Sequence, residues 1–316
     1  MQINNAFYLV KPFIPRLMQI VLRRAMTLWK RPSTGGLWPI DEKSCTPPAW
    51  WSGWPGGKQF AFVLTHDVDT AKGHARCELL RKLEEELGVR SSFNFVPERY
   101  AVSSKLRDRL TQNGFEVGVH GLCHDGKLFR SRQIFLRRAI KINRYISEWK
   151  AVGFRSPAMH HNLDWIYDLE IEYDSSTFDT DPFEPQPTGL RTIFPVMMNG
   201  KSSRPGYVEL PYTLPQDFTL FILLKERSID IWKRKVDWIA RKHGMVLVIT
   251  HPDYMKFDAR KRTAEEYPVE RYTSLIEYVK SEYEGCYWHA LPKDVARFCR
   301  DSLARFSPGP SPHLKM

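Results

Sequence analysis

Beyond residue 58 the chain alternates between two kinds of segment, and this limits its fold more than any other feature. "FAFVLT" (60–65) is a short apolar run of strand character, and "ARCELLRKLEEELG" (75–88) has helical apolar spacing and ends on a glycine. "SSFNFV" reads as a strand, "SSKLRDRLTQNG" as a helix with a serine cap and a terminal glycine, and "FEVGVH" as a strand. The helix "QIFLRRAIKINRYISEW", the strand "VGFRSP" and the short helix "LDWIYDL" follow. After an irregular section come the helix "SIDIWKRKVDWIARKHG", the strand "MVLVIT", the helix "VERYTSLIEYVKSEY", the strand "CYWHA" and the helix "PKDVARFCR". Such alternation implies parallel strands joined by crossover helices, as a barrel or a doubly wound sheet. In both, chemistry gathers at the carboxyl ends of the strands.

The strand ends are therefore the residues to read. They carry Thr65-His66-Asp67-Val68-Asp69, then His120 with His124, Arg155-Ser156-Pro157, Asp174, and Thr250-His251-Pro252-Asp253. Each group has a plain reading and a chemical one. Asp67 and Asp69 either cap a turn before a helix or face one cavity, where a cation would offset their repulsion. His120 and His124 stand four apart, so both rings share one side if the chain turns helical after the strand, and two imidazoles can then hold one metal. With the acids they make a His, His, Asp set with open positions, as catalytic rather than closed structural sites have. Cys123 between them reads as packing. Arg155 is a solvated loop residue, or it makes a two-pronged hydrogen bond that keeps an aspartate ionised and oriented. His251, at the end of a buried strand, is a satisfied core histidine or a proton donor at the cavity rim.

Composition sets the surroundings. The 316 residues, 42% hydrophobic and 26% charged, suffice for a large core and argue against wholesale disorder. The formal charge is +11, and Lys11, Arg16, Arg23, Arg24, Lys30 and Arg31 stand in residues 1–40 without any acid. The body lacks a basic stripe interleaved with aromatics, so no nucleic-acid partner is expected. Five scattered cysteines without a CxxC pair fit free thiols in a reducing compartment. No apolar run reaches the length of a spanning helix, and no signal-peptide pattern is seen, so a cytoplasmic protein is expected.

"PRLMQIVLRRAMTLWKR" (15–31) is amphipathic, with Pro15 suited to the first helical position. Leu17, Met18, Val21, Leu22, Ala25, Met26, Leu28 and Trp29 share one half of the helix. Arg16, Gln19, Arg23, Arg24, Thr27, Lys30 and Arg31 share the other, and Ile20 alone falls on the wrong side. Two readings stand: an in-plane helix peripheral to the inner face of a membrane, or a helix docked on the protein's own core with its basic side in water. The expected division is a basic N-terminal extension with this helix (1–50), a barrel domain (51–305) and a flexible tail (306–316).

"THDVD", "HGLCH", "FRSP", "DSSTF" and "ITHPD" resemble, in order, the five motifs of the polysaccharide deacetylase family, the NodB-homology or carbohydrate esterase family 4-like proteins, in an Asp-Val-Asp variant. The resemblance runs from about residue 58 to the helix near 300. It implies a distorted (β/α) barrel of about seven strands and metal-dependent removal of an N-acyl group, N-acetyl foremost, from an amino sugar or glycan precursor. By the same resemblance Asp67 is the catalytic base, and Asp69, His120 and His124 are the metal ligands. Arg155 orients the base, and His251 is the proton donor, partnered by Asp174. The metal is a divalent ion, zinc first, with cobalt or nickel also suited to such ligands. Asp67 would take a proton from the water that the metal activates, and the backbone N–H of Ala158 would share in holding the oxyanion.

The chain departs from the family pattern at several places. Phe178 replaces a tryptophan, Gly121 replaces Ser or Thr, and Ala158-Met159-His160-His161 replaces an aromatic-glycine pair. "DSSTFDTDPFEPQP" reads as an elaboration on the acceptor side. These departures leave two alternatives beside the sugar substrate: a linear or cyclic non-sugar amide, or an inactive glycan-binding barrel.

Overall fold

The computed structural model describes residues 16–200, 205–258 and 263–306. Pro15 and residues 307–316 of the tail expected over 306–316 lie outside them, while Phe306 ends the last helix. In chain order come α1 (Arg16–Lys30), β1 (Phe60–Val68), α2 (Ala71–Glu86), β2 (Ser92–Phe95), α3 (Ser104–Gln112), β3 (Glu116–His120), α4 (Arg132–Trp149), β4 (Gly153–Arg155), α5 (Leu163–Ile166) and β5 (Tyr173–Asp174). Next are β6 (Val196–Met198), β7 (Tyr207–Glu209), a π-helical turn at Phe218–Leu223, α6 (Asp230–Arg241), β8 (Met245–Thr250), β9 (Met255–Lys256), β10 (Tyr267–Pro268), α7 (Glu270–Glu282), β11 (Tyr287–His289) and α8 (Pro292–Phe306).

Local chemistry sets the helix starts. Ser103 and Ser131 accept hydrogen bonds from the amides of Leu106 and Ile134, so a hydroxyl satisfies a donor that the first helical turn leaves open. The turn after α3 closes on Gly114, whose positive φ of 81° a side chain would resist.

β1 is the axis of the sheet, and every one of its residues is buried. It pairs in parallel with β8, from Ala61 opposite Met245 to His66 opposite Thr250. Its other edge takes β11 beside Phe60–Phe62 and β2 beside Thr65–Val68. β3, β4, β5 and β7 continue in parallel, and β6 adds antiparallel to β7. The segment after β7 brings the ends of the sheet together. The amides of Thr213 and Leu214 donate to the Leu247 carbonyl at 3.1 and 3.2 Å, and the Leu247 amide donates to Thr213 Oγ1 at 3.0 Å. The result is the expected distorted (β/α) barrel, with seven parallel strands (β1–β5, β7 and β8) around it.

Side chains alternate across this ring with period two. Phe60, Phe62, Leu64, Val246 and Val248 enter the core beneath the helices, while Ala61, Val63, Met245, Leu247 and Ile249 fill the interior. A strand buried on both faces cannot alternate in polarity, which is why these segments read as continuous apolar runs. In the irregular lead-in, Trp38 and Trp54 are also buried, and Trp54 Nε1 donates to the carbonyl of His243 at 2.9 Å. No helix of the described residues is long and apolar enough to cross a membrane.

α6 sends one charge inward. Lys235 Nζ lies 2.7 Å from Asp179 Oδ2, and both side chains are buried. Burial pushes the Asp179 carboxyl up to about 6, with Lys235 pulling the other way. Lys235→Ala is expected to cost about 3–5 kcal/mol in urea unfolding because it strands Asp179. Replacing both, Asp179→Asn with Lys235→Met, should recover most of that loss. An unchanged midpoint in the single variant would contradict this account of the pair.

Candidate metal centre and catalytic cleft

The two acids at the end of β1 stand two residues apart, so both face the same side, while the intervening Val68 enters the core under the helices. Each is held by different groups. Asp67 Oδ1 accepts from Arg155 Nη1 at 2.9 Å and from Asn94 Nδ2 at 3.0 Å. Asp69 donates its amide to Asp253 Oδ2 at 3.0 Å and turns its carboxylate the other way, toward two histidines.

His120 closes β3, and its Nδ1 lies 3.1 Å from the carbonyl oxygen of Arg155. A carbonyl only accepts, so Nδ1 carries the hydrogen and, in the neutral ring that a metal ligand must be, Nε2 presents a lone pair. That Nε2 is 3.4 Å from Asp69 Oδ1, and Nε2 of His124 is 3.0 Å from the same atom. Asp69 Oδ1 is buried and has no aligned hydrogen bond. Three ligand atoms thus lie within 4.8 Å of one another. The donor set suits a zinc-like ion: two imidazoles, one fixed through its far nitrogen by a backbone carbonyl, and a carboxylate oxygen with unspent acceptor capacity.

The route by which His124 arrives differs from the helical turn expected after the strand. The chain reverses through Gly121 (φ 61°) and His124 (φ 53°), and the ring centroids of His120 and His124 come to 5.3 Å. A Cβ on residue 121 would stand 2.5 Å from Pro157 Cδ. The close approach of Pro157 therefore accounts for glycine where the related motif carries Ser or Thr.

Arg155 is buried at the end of β4 and joins three parts of the ring. Nη1 donates to Thr65 Oγ1 at 2.8 Å as well as to Asp67. Nε and Nη2 donate to the carbonyl and hydroxyl of Ser175 at 2.9 and 2.8 Å. The expected two-pronged grip on a carboxylate is corrected here. One prong reaches Asp67, and the paired prongs go to Ser175. Burial by itself would raise the Asp67 carboxyl, but the charges of Arg155, His120 and His251 and the Asn94 hydrogen bond hold it down, at about 2.

His251 follows β8 directly, and its partner is not Asp174. Its Nδ1 lies 2.7 Å from Asp217 Oδ1, and its amide donates to Asp217 Oδ2 at 2.8 Å. Tyr267 Oη also donates to Asp217 Oδ2, at 2.8 Å. Burial pulls the imidazole down, but the Asp217 charge and hydrogen bond prevail and push it up to about 10. Asp174 is enclosed elsewhere. Its Oδ1 accepts from Ser176 Oγ at 2.6 Å, and in the sheet it stands opposite Glu209. Burial raises both of those carboxyls. Asp217 precedes the π-helical turn, which passes beside the end of β8, and it is absent from every strand-end group. The one trace of it in the sequence is a solitary acid in an otherwise uncharged stretch, "LPYTLPQDFTLFILL" (210–224).

Asp67, Asp69, His120, His124 and His251 line one cleft with Ala158, Met159, Glu184, Gln216 and, from α1, Arg23. Phe178, expected beside Asp174 as an aromatic replacement, is buried against Tyr212 at 5.4 Å between ring centroids. In the acidic elaboration, Asp181 and Glu184 both accept from Tyr212 Oη, at 2.9 and 3.0 Å.

Solved structures share this barrel. A protein assigned as a polysaccharide deacetylase from Mycobacterium smegmatis superposes with a TM-score of 0.60 at 17% identity, over 86% of this chain and 99% of its own. The chain has the polysaccharide-deacetylase fold. The Puue allantoinase aligns at 0.57 and 15% identity, over 84% and 98% of the two chains. A second protein assigned as a polysaccharide deacetylase, from Pseudomonas aeruginosa PAO1, aligns at 0.56 and 15% identity, over 81% and 95%. At such identities the likeness speaks for the fold. No family model matches the sequence, and no curated protein matches it.

Asp217→Asn tests the pairing with His251. Asp217, by its charge and hydrogen bond, does most to favour the imidazolium, so its removal leaves burial opposed by the Asp69 and Asp67 charges alone and the His251 midpoint falls from about 10 toward the ordinary value. Histidine-resolved NMR titration reads this shift, and Asp174→Asn should leave the midpoint in place. A midpoint that moves with Asp174 and not with Asp217 would contradict the assignment.

Proposed function

We propose that this chain is a metal-dependent hydrolase that removes an N-acyl group, N-acetyl foremost, from an amino sugar or glycan precursor. One observation supports this above the others. A carboxylate held ionised and an imidazole held protonated, Asp67 and His251, line the same cleft as the Asp69, His120 and His124 cluster. Cleaving an amide by water needs a base for the water and an acid for the amine, each in the opposite protonation state at one pH.

Asp69, His120 and His124 are the residues that would hold the metal, and zinc, or cobalt or nickel in its place, supplies a water of lowered pKa and a Lewis acid for the carbonyl when bound. Asp67 takes the proton of the attacking water, with Arg155 and Asn94 fixing which oxygen faces the cleft. The backbone N–H of Ala158, a residue in the left-handed region (φ 55°) on the cleft wall, donates to the oxyanion. His251 gives its proton to the departing amine nitrogen, and Asp217 holds it protonated until then. Without that proton the amine is a very poor leaving group. The reading includes a cytoplasmic place of work at a membrane's inner face, supported by five free thiols.

A second reading, hydrolysis of a linear or cyclic non-sugar amide, is favoured by the Ala-Met-His-His run after Pro157 and by the shared fold of the Puue allantoinase. Screening N-acetylated amino-sugar oligomers beside cyclic amides separates the two. On the accepted substrate, Asp67→Asn and His251→Ala should each lower kcat roughly 10²–10⁴-fold. Turnover that survives both substitutions would overturn the assignment of acid and base.

A further inference from the structure

α1 is docked with its polarity reversed. The residue out of place on the helical wheel, Ile20, is the one that enters the main core, 2% exposed. The basic half grips the body. Arg24 Nη2 donates to the Ile222 carbonyl at 2.7 Å, and Lys30 Nζ donates to the Pro182 carbonyl at 2.7 Å. Arg31, just past the helix, pairs with Glu226 at 2.8 Å, and the Arg23 guanidinium lies 4.9 Å from the Phe218 ring centroid on the cleft wall. These contacts exclude the docked reading with the basic side in water, and they fix which half faces outward.

The outward half is apolar. Leu17, Met18, Val21 and Met26 are each more than half exposed, and Trp29 is 83% exposed. Of the twelve exposed large hydrophobic side chains among the described residues, eight fall between Leu17 and Leu37. Scattered apolar residues on a surface are ordinary, but a contiguous face of them on one rigidly seated helix marks a docking surface.

We infer that this face is the protein's seat on an anionic lipid surface. Charge selects that occupant over a second copy of the chain. The protein as a whole carries a formal +11, with no acid in its first 40 residues, so two copies repel one another while anionic headgroups attract each of them. An exposed tryptophan among aliphatic side chains suits the boundary between headgroups and acyl chains. Because Arg23 of the same helix lines the catalytic cleft, the seat holds that cleft at the bilayer. If the proposed deacylation holds, the substrate is a glycan whose lipid anchor stays in the membrane. The seat itself does not depend on that reading.

The experiment is co-sedimentation of the full chain with sucrose-loaded phosphatidylcholine vesicles containing roughly one-third phosphatidylglycerol, alongside sedimentation equilibrium without lipid. Wild type should sediment with the vesicles and be a monomer without them. A Val21→Ser, Met26→Ser, Trp29→Ser variant, altered only at exposed and uncharged positions, should keep its thermal midpoint and lose at least about tenfold in vesicle partitioning. Wild type that fails to sediment, or a variant that sediments equally well, overturns the proposal. So does a wild-type dimer that the variant abolishes, which would make a second copy the occupant. Turnover plays no part in the readout, so failure here and failure of the proposed activity are told apart.

Discussion

A single buried guanidinium, that of Arg155, ties the working end of the barrel together. A full charge in the interior is tolerated only when it is paired and its donors are used. Arg155 meets both conditions by reaching Thr65 and Asp67 on β1 and Ser175 after β5. Its own carbonyl takes the Nδ1 hydrogen of His120. One residue thus sets the ionisation of the candidate base and the tautomer of a candidate metal ligand. The question raised by two carboxylates at a strand end is resolved in the same way: Asp67 is answered by this cation, whereas Asp69 turns to two histidines and keeps an oxygen free of aligned hydrogen bonds.

The opposite wall repeats this logic with the charges exchanged. Asp217 is buried and takes hydrogen bonds from the His251 and Phe218 amides, the Tyr267 hydroxyl and the His251 ring. The ionised aspartate raises the imidazole as the arginine lowers the carboxyl. A proton acceptor and a proton donor therefore coexist across one cleft, where either group alone in water would titrate near its ordinary value. α1 adds a third charged group, Arg23, and its seating leaves an apolar surface beside the same cleft.

Much of this was legible in the sequence because the fold places chemistry at strand ends. Asp67, Asp69, His120, His124, Arg155 and His251 are all found by asking what each apolar run finishes on, and all six meet around one centre. What could not be read depends on contacts between distant segments. Asp217 lies in a connection with no periodic signal, and only the passage of the π-helical turn beside β8 brings it to His251. Asp174 stands where the resemblance would put the partner of His251, but it is enclosed by Ser176 and Glu209. The i, i+4 spacing of His120 and His124 fits a helix, yet the chain turns through Gly121 in the left-handed region, with Pro157 packed where a Cβ would stand. For α1 the periodicity gave the two faces correctly, but it carries no information about which one the body takes. Ile20, apolar on the basic side, is the residue that the body buries.

The central claim, that Asp69, His120 and His124 form a metal centre, is tested most directly by elemental mass spectrometry of the purified protein and of His120→Ala. The account predicts about one equivalent of a first-row divalent ion in the wild type, its loss in His120→Ala, and its retention in Asp67→Asn. A wild type that carries no metal and takes up none of zinc, cobalt or nickel would contradict it.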